Sequence, residues 1–215
     1  MIAFDKIKKW YVIIIVTLVL LFIIGATVFI ISRKKEKADK PNENALVPSS
    51  QIFNDLALPV GQFKQRITKK PFGLYVSPNN SPVRPEKFTG YHTAVDIEYE
   101  DIAEDVPVFA VSDGRVVLSR TASGYGGVIM MEIKLDNAKH HVVYGHVRPS
   151  YLPAVGQEFK KGEQISTLGT GYSAETDNER RHLHFGVLSN DRIDLRGYVQ
   201  DQTELGGWID PQTLY

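Results

Sequence analysis

Four histidines and one aspartate lie in three short motifs whose residue types suit a zinc site. The motifs are Tyr91-His92-Thr93-Ala94-Val95-Asp96, Tyr144-Gly145-His146 and His182-Leu183-His184-Phe185. Imidazole nitrogens and carboxylate oxygens are ligands of catalytic zinc, which takes three protein ligands and keeps one position open for water. Five such side chains leave two histidines to act on that water or on a substrate. The set therefore favours a zinc hydrolase site.

His182 and His184 occupy alternate positions in an otherwise apolar stretch. Side chains at positions i and i+2 point to the same face of a β-strand. Both imidazoles are therefore expected to face one site, while Leu183 and Phe185 pack into the core on the opposite face. The alternative is a surface strand that carries two exposed histidines.

His92 and Asp96 are four positions apart, and on a straight strand they would be roughly 13 Å apart, too far to share an ion. A helix would bring them together, but the β-branched Thr93 and Val95 disfavour one. The sequence predicts instead a loop that bends at Thr93 and Ala94 and brings His92 and Asp96 to one ion.

The expected positions of the other histidines are inferred from the residues next to them in the sequence. His146 comes directly after an apolar run and Gly145, so it is expected at the end of a strand. His140 and His141 lie near a predicted turn at Asp136-Asn137. They are expected to be exposed and to have no role in the site.

Short runs rich in Val, Ile, Phe and Tyr, separated by turn residues, predict β-strands from Phe63 onward. We expect a hairpin formed by residues 107–111 and 115–119, strands at residues 127–135 and 140–146, and two short strands on either side of Lys161-Gly162. No helical period longer than two turns follows residue 62. The predicted fold class is all-β, an antiparallel β-sheet sandwich or open barrel.

Composition excludes several classes of site. The 215 residues carry a formal net charge of zero, which argues against nucleic acid as a main partner, because phosphate binding needs a concentrated basic surface. The absence of cysteine excludes a disulfide framework, an iron–sulfur site and a cysteine-anchored lipoprotein. There is also no H-E-x-x-H sequence, so the helical metalloprotease arrangement is absent.

The N-terminal part of the chain predicts a membrane anchor and a linker. Residues 11–31 contain no charged side chain. At about 1.5 Å per residue this run would span roughly 30 Å as a helix, enough to cross a bilayer, whereas the alternative is a buried core helix. Residues 32–62 are charged at first and then rich in Pro, Asn and Ser, which predicts a flexible linker to a domain formed by residues 63–215.

At its histidine motifs the chain resembles the LytM/lysostaphin-type zinc endopeptidases, the M23 class of peptidoglycan hydrolases. The three motifs stand in that family's order, and the flanking residues 70–73, 88–92, 124–127, 155–156 and 161–162 agree with it. The resemblance covers residue 63 to the C-terminus. One departure is Ala94, where the family often has glycine.

The resemblance implies a small antiparallel β-sheet domain with an active-site groove. It implies that zinc is held by His92, Asp96 and His184. It also implies that His146 and His182 are the catalytic pair that does not bind zinc. One of this pair would take a proton from the attacking water, and the other would stabilise the developing oxyanion.

The function implied by the resemblance is that of a membrane-anchored, zinc-dependent endopeptidase that cuts the stems or cross-bridges of peptidoglycan. Because all five site positions are intact, an active enzyme is favoured over a catalytically silent envelope module that binds peptidoglycan or activates another cell wall hydrolase. A metal transport or storage protein would leave His146 and His182 unexplained. The sequence identifies no divisome protein or other envelope protein as a partner.

Peptidoglycan lies outside the cytoplasmic membrane, so the resemblance also implies a topology. Residues 1–10 would form a cytoplasmic tail, and the peptidase domain of this bacterial single-pass protein would be extracytoplasmic. Charge opposes this orientation. Three lysines precede the uncharged run and five basic residues follow it by position 40, which by the positive-inside rule places the C-terminal side in the cytoplasm.

Overall fold

The computed structural model describes residues 56–215, and within this range it contains twelve strands and five short 3-10 helices. The strands are β1 (Tyr75–Val76), β2 (Gly90–His92), β3 (Val95–Glu98), β4 (Pro107–Phe109), β5 (Gly114–Ala122), β6 (Gly126–Leu135), β7 (Ala138–Val147), β8 (Glu158–Phe159), β9 (Gln164–Thr167), β10 (His182–Leu188), β11 (Tyr198–Val199) and β12 (Trp208–Ile209). The 3-10 helices are Lys64–Arg66, Pro149–Tyr151, Ala174–Thr176, Gln202–Gly207 and Pro211–Leu214.

One large antiparallel sheet carries most of the domain. Its strand order is β12-β10-β7-β6-β5-β8, and β3 also pairs with β10, so that β10 has β7 on one edge and both β3 and β12 on the other. A three-stranded sheet, β1-β2-β11, and a two-stranded sheet, β4-β9, complete the described part. The prediction of an antiparallel β fold is confirmed. The large sheet does not close into a barrel.

The longest hairpin joins β6 to β7 and follows the prediction. The two strands pair from Leu135 opposite Ala138 back to Gly127 opposite Val147. Asp136 and Asn137 form the turn with φ of 48° and 63°. Positive φ at both central residues is the type I′ geometry, whose twist matches that of paired strands.

The hairpin predicted for residues 107–111 and 115–119 is wrong. The chain does turn at Ser112 and Asp113, but β4 pairs with β9, whereas β5 pairs with β6 and β8. Val108 and Val111, which both precede the turn, are buried in the core. The first strand therefore packs into the core as part of the β4-β9 sheet and not as a partner of β5.

The large sheet separates two apolar clusters. On one face Leu183 and Phe185 are completely buried together with Ile97 and Tyr144. The smaller cluster on the other face includes Val143 and six further side chains, namely Tyr125, Val128, Met130, Leu188, Val199 and Trp208. Each fully buried side chain of this size contributes roughly 1.5–3 kcal/mol to folding. The predicted alternation of β10 is therefore confirmed for Leu183 and Phe185.

The packed domain begins before Phe63, within the segment that the sequence assigns to the linker. Val60 is completely buried, and the backbone of Ala57 and Pro59 is hydrogen-bonded to that of residues 111 and 109 at 2.8 and 2.9 Å. The predicted tail (residues 1–10), anchor (residues 11–31) and the linker up to residue 55 lie outside the described residues. Among residues 56–215, no helix is long and apolar enough to cross a membrane.

The prediction that His140 and His141 are exposed is wrong for both residues. His141 is only 3% exposed, and its Nδ1 lies 2.7 Å from the carbonyl oxygen of Arg192. His140 is half-buried, with its Nδ1 2.9 Å from the carbonyl oxygen of Leu188. The segment after β10 lies beside His141, whose backbone N–H also donates to the carbonyl oxygen of Asn190 at 3.1 Å. His141 therefore holds this segment in place, whereas His140 contacts the last residue of β10.

Candidate metal centre

The structure brings one nitrogen or oxygen atom from each of His92, Asp96 and His184 into a small triangle. His92 Nε2 lies 3.3 Å from His184 Nδ1 and 3.3 Å from Asp96 Oδ1, and His184 Nδ1 lies 3.2 Å from Asp96 Oδ1. Zinc ligands about 2.0–2.1 Å from a tetrahedral centre lie about 3.3–3.4 Å from one another. The three sides of the triangle match that spacing, so these residues fit a zinc ion in both donor type and dimensions.

Strand pairing and one bend bring the three side chains together. Asp96 on β3 pairs directly with His184 on β10, so the two side chains are cross-strand neighbours on one face of the sheet. The chain bends at Thr93 and Ala94, as predicted, and His92 at the end of β2 turns back toward Asp96. His92 and Asp96 are almost completely buried, at 0% and 1% exposed.

The outer nitrogen of each ligand histidine has a hydrogen-bond partner that fixes its tautomer. His92 Nδ1 donates to the carbonyl oxygen of Pro71 at 3.2 Å, because a carbonyl can only accept. The Tyr125 hydroxyl donates to the carbonyl oxygen of Leu195 at 2.8 Å, so its oxygen accepts from His184 Nε2 at 3.3 Å. Such partners orient metal-binding histidines. They leave the lone pairs of His92 Nε2 and His184 Nδ1 directed into the triangle.

His146 and His182 lie side by side next to the triangle. Their ring centroids are 4.2 Å apart. Nδ1 of His182 donates to the carbonyl oxygen of Arg180 at 2.8 Å, and Nδ1 of His146 donates to that of Thr176 at 3.3 Å. Both rings therefore keep an Nε2 lone pair that can accept a proton. His182 Nε2 is 3.4 Å from Asp96 Oδ2.

A β-bulge turns the His146 side chain toward the site. Gly127 pairs with Val147 and Val128 pairs with Gly145, which leaves His146 as an extra residue with φ of 62°. In a regular strand, a residue following Gly145 would point to the opposite face. The left-handed backbone of this bulge re-aims the ring, as bulges beside active sites often do.

Gly145 leaves room for the ring of Tyr125, which contacts His184. It pairs with His184 across β7 and β10, so a side chain here would project over the metal-ligand face. A Cβ at this position would lie 2.4 Å from the Tyr125 ring. Glycine therefore allows Tyr125 to lie against the strand and to reach the imidazole of His184.

Burial and nearby charges keep His146 and His182 neutral and Asp96 ionised. Burial, aided by His184, lowers the pKa of His146 to about 3. Burial and the nearby Arg180 hold the pKa of His182 well below its usual value of 6.5. Burial alone would raise the pKa of Asp96, but its surroundings, in which Arg180 carries the permanent positive charge, hold it well below 3.8. The site therefore presents two neutral bases beside an anionic candidate ligand.

A groove of about 300 Å³ opens onto these residues. Asp96, His146, His182 and His184 contribute to its floor or walls, and aromatic and polar side chains extend it, namely Phe88, Tyr125, Tyr198 and Gln200. Phe88 and Tyr198 are stacked, with centroids 5.2 Å apart and planes inclined by 15°. The groove therefore gives access to the imidazoles of His146, His182 and His184.

Two buried ion pairs beside the site were missed at the sequence level. Lys70 Nζ lies 2.6 Å from Glu86 Oε2, and Arg180 Nη2 lies 2.8 Å from Glu98 Oε1. Glu98 is two positions after Asp96 on the same strand and pairs with His182. Residues two positions apart on a strand share a face. The same rule that placed His182 beside His184 would therefore have placed Glu98 beside Asp96. No sequence signal joins Lys70 to Glu86.

The first of these pairs supports the segment behind His92. The backbone carbonyl oxygen of Lys70 accepts from the N–H of Asp96 at 3.0 Å, and the next residue, Pro71, accepts from His92. Lys70 Nζ also donates to the hydroxyl of Tyr198 at 2.9 Å. Both charged side chains of the pair are 2% exposed. The pair therefore fixes the backbone that orients two of the three candidate ligands.

Glu86→Gln should lower the free energy of unfolding by roughly 3–5 kcal/mol at neutral pH, because it leaves the buried ammonium of Lys70 without its carboxylate. Burial alone would raise the pKa of the Glu86 carboxyl. The hydrogen bonds from Lys70 and Ser81 lower it by more, so the pKa of Glu86 lies below 4.5. A carboxyl with a lowered folded-state pKa adds stability above its unfolded pKa and loses it as the pH falls through the folded value. The difference between wild type and variant should therefore narrow below pH 4.5.

Urea denaturation of both proteins at pH 7 and at steps from pH 5 to pH 3 measures this difference. A difference that stays constant over the acid range would contradict the ionised pair. The control is the double variant Lys70→Gln/Glu86→Gln, which removes both charges. It should lose less stability than Glu86→Gln alone, because no charge remains buried without a partner.

Residues 90–195 match the model of Peptidase family M23, and all five predicted site residues lie in this range. No curated protein matches the chain. Among solved structures, Helicobacter pylori Csd3 in an orthorhombic crystal is 27% identical to it, covers 68% of this chain and 35% of its own, and superposes with a TM-score of 0.42. The chain thus spans about a third of the length of that Csd3 chain.

Two further similar structures cover more of their own length. LytU is 23% identical over 66% of this chain and 79% of its own, with a TM-score of 0.43. The structure of the SpoIIQ–SpoIIIAH pore-forming complex contains a chain that is 18% identical over 74% of this chain and 90% of its own, with a TM-score of 0.47.

Proposed function

Because the chain belongs to peptidase family M23, we propose that it is a zinc-dependent endopeptidase that hydrolyses peptide bonds in the stems or cross-bridges of peptidoglycan. The observation that carries this proposal is the ligand-sized triangle formed by His92, Asp96 and His184 beside two neutral imidazoles. A site for storage or transport of a metal would have no use for the two proton acceptors next to it.

The proposed roles follow from the atoms that each side chain leaves free. His92 Nε2, His184 Nδ1 and Asp96 Oδ1 would hold the metal. Zinc bound there would supply a positive charge that polarises the scissile carbonyl and activates water. Either His146 Nε2 or His182 Nε2 would accept the proton that the attacking water loses, since both are neutral and unprotonated at that atom.

The same imidazoles can complete the reaction. Once protonated at Nε2, a ring held through Nδ1 by a backbone carbonyl becomes a donor that faces the groove. It can pass that proton to the leaving amine or stabilise the oxyanion. The carbonyls of Thr176 and Arg180 therefore orient the two rings for proton transfer in both directions.

The test is to incubate the full chain with purified peptidoglycan, with and without a zinc chelator, and to identify the released fragments by mass spectrometry. We expect peptide cleavage that the chelator stops and that added zinc restores. Zinc-loaded protein that releases no peptide from walls of several chemistries would contradict the proposal. That outcome would favour a module that binds peptidoglycan or activates another hydrolase.

We further propose that residues 11–31 anchor the protein in the cytoplasmic membrane of a bacterium and that the peptidase domain lies outside. The uncharged run of 21 positions supports the anchor, and a substrate outside the membrane supports the orientation. Protease added to intact spheroplasts should digest the domain. A domain fully protected until the membrane is broken would place it in the cytoplasm.

A further inference from the structure

Arg180 lies between the proposed zinc ligand Asp96 and the neighbouring Glu98. Its side chain is 2% exposed, and its Nη2 is 2.6 Å from Asp96 Oδ2 and 2.8 Å from Glu98 Oε1. The two oxygens of Asp96 therefore have different surroundings. Oδ1 faces the nitrogens of both candidate ligand histidines, whereas Oδ2 accepts a hydrogen bond from the guanidinium and lies 3.4 Å from His182 Nε2.

We propose that Arg180, held in place by Glu98, is a positioning residue that limits Asp96 to binding the metal through Oδ1 alone. This inference rests on the proposed function, because it takes Asp96 to be a zinc ligand. A carboxylate can bind a metal through one oxygen or through both. A second bond from Asp96 would raise the coordination number above four and crowd the position that a catalytic zinc site keeps open for water.

The position of the guanidinium is fixed from the side away from the metal. Glu98 accepts from Nε of Arg180 through both of its oxygens, at 3.1 and 2.9 Å, and from Nη2 at 2.8 Å. This planar, forked contact holds an arginine more firmly than a single ion pair would. Glu98 is itself two residues from Asp96 on β3. One strand therefore carries both the proposed ligand Asp96 and the carboxylate that holds Arg180.

Charge alone does not explain this arrangement. A single positive charge near Asp96 could be supplied by an ammonium group, without a fork and without a second carboxylate. The contact that an ammonium cannot reproduce is the simultaneous one, in which Nε is tied to Glu98 while Nη2 reaches Oδ2. The lysine variant at this position therefore separates charge from orientation.

The test uses the full chain and the double variant Glu98→Gln/Arg180→Gln. This variant removes one anion and one cation, so the formal charge around the zinc site stays the same. Zinc affinity, measured by competition with a coloured chelator, should fall by about 10- to 100-fold, as is usual when a partner of a metal ligand is lost. In the cobalt-substituted protein the visible absorption bands should weaken, because a free Oδ2 raises the coordination number above four.

Two further variants complete the experiment. Arg181→Gln is the matched control, because Arg181 donates to the backbone carbonyls of Ile102 and Glu104 and not to Asp96. It should leave zinc affinity and the cobalt spectrum unchanged. Arg180→Lys keeps the charge and most of the volume, and it should show the same spectral change to a smaller extent. If the double variant does not fold, Arg180→Lys tests the proposal by itself.

The possible failures are distinguishable from one another. If the wild-type chain binds no zinc, the proposed function fails and this inference with it. If the wild type binds zinc and the variants at residue 180 match its affinity within about threefold and its cobalt spectrum, the inference about Arg180 fails alone. The proposed ligand set would then stand without a positioning role for the guanidinium.

Discussion

Replacing His184 by alanine should abolish stoichiometric zinc binding and reduce peptide cleavage to the level seen with a chelator. His184 supplies one corner of the triangle, 3.2 Å from Asp96 Oδ1 and 3.3 Å from His92 Nε2. Without it two protein ligands remain, one fewer than catalytic zinc sites use. Metal content measured by mass spectrometry of the desalted protein and the rate of peptidoglycan cleavage check both parts of this expectation.

The matched control for this experiment is His140→Ala. His140 is a half-buried histidine that bonds to a backbone carbonyl away from the triangle. It should keep one zinc ion per chain and its activity, although it loses some stability. Stoichiometric zinc in the His184→Ala protein would show that His184 is not a ligand and would undo the proposed site.

His146→Ala should keep zinc but lose turnover by about 10²- to 10⁴-fold, the usual contribution of a positioned acid–base group. The His146 ring is next to that of His182 at 4.2 Å, but its centroid is 6.4 Å from that of His184, and its nitrogens are not part of the triangle. Its removal therefore takes away a proton acceptor and leaves all three ligand atoms. Zinc content and the cleavage rate at saturating zinc are the two measurements.

The backbone at residue 146 calls for a companion variant. His146 has φ of 62°, a conformation that asparagine tolerates better than most residues. His146→Asn should therefore retain the bulge and the fold, and it should lose as much turnover as His146→Ala. Loss of zinc in both variants would place His146 among the ligands, and full activity in either would remove it from the mechanism.

The sequence was most informative where a local rule of geometry applies. The two-residue period of a strand predicted that Leu183 and Phe185 would be buried opposite His182 and His184, and all four side chains lie as expected. The bend at Thr93 followed from the distance between His92 and Asp96 on a straight strand. Both inferences needed only neighbours a few positions apart.

Features that depend on pairing between distant segments could not be predicted in this way. The bulge at His146 exists because β6 has one residue fewer than β7 at that point, which only the register shows. The predicted hairpin around Asp113 was wrong because its first arm, β4, pairs with β9 more than 50 residues further along the chain, whereas its second arm, β5, pairs with the next strand, β6. The Lys70–Glu86 pair depends on a loop whose path the sequence does not specify.

The position of β10 determines when the candidate metal site can form during synthesis of the chain. Two of the three triangle residues lie four positions apart, but the third follows 88 residues after Asp96. It reaches them only when β10 is inserted between β3 and β7. A nascent chain that ends before this strand lacks the third corner, so the candidate metal site cannot form until β10 has been translated and has paired with both β3 and β7.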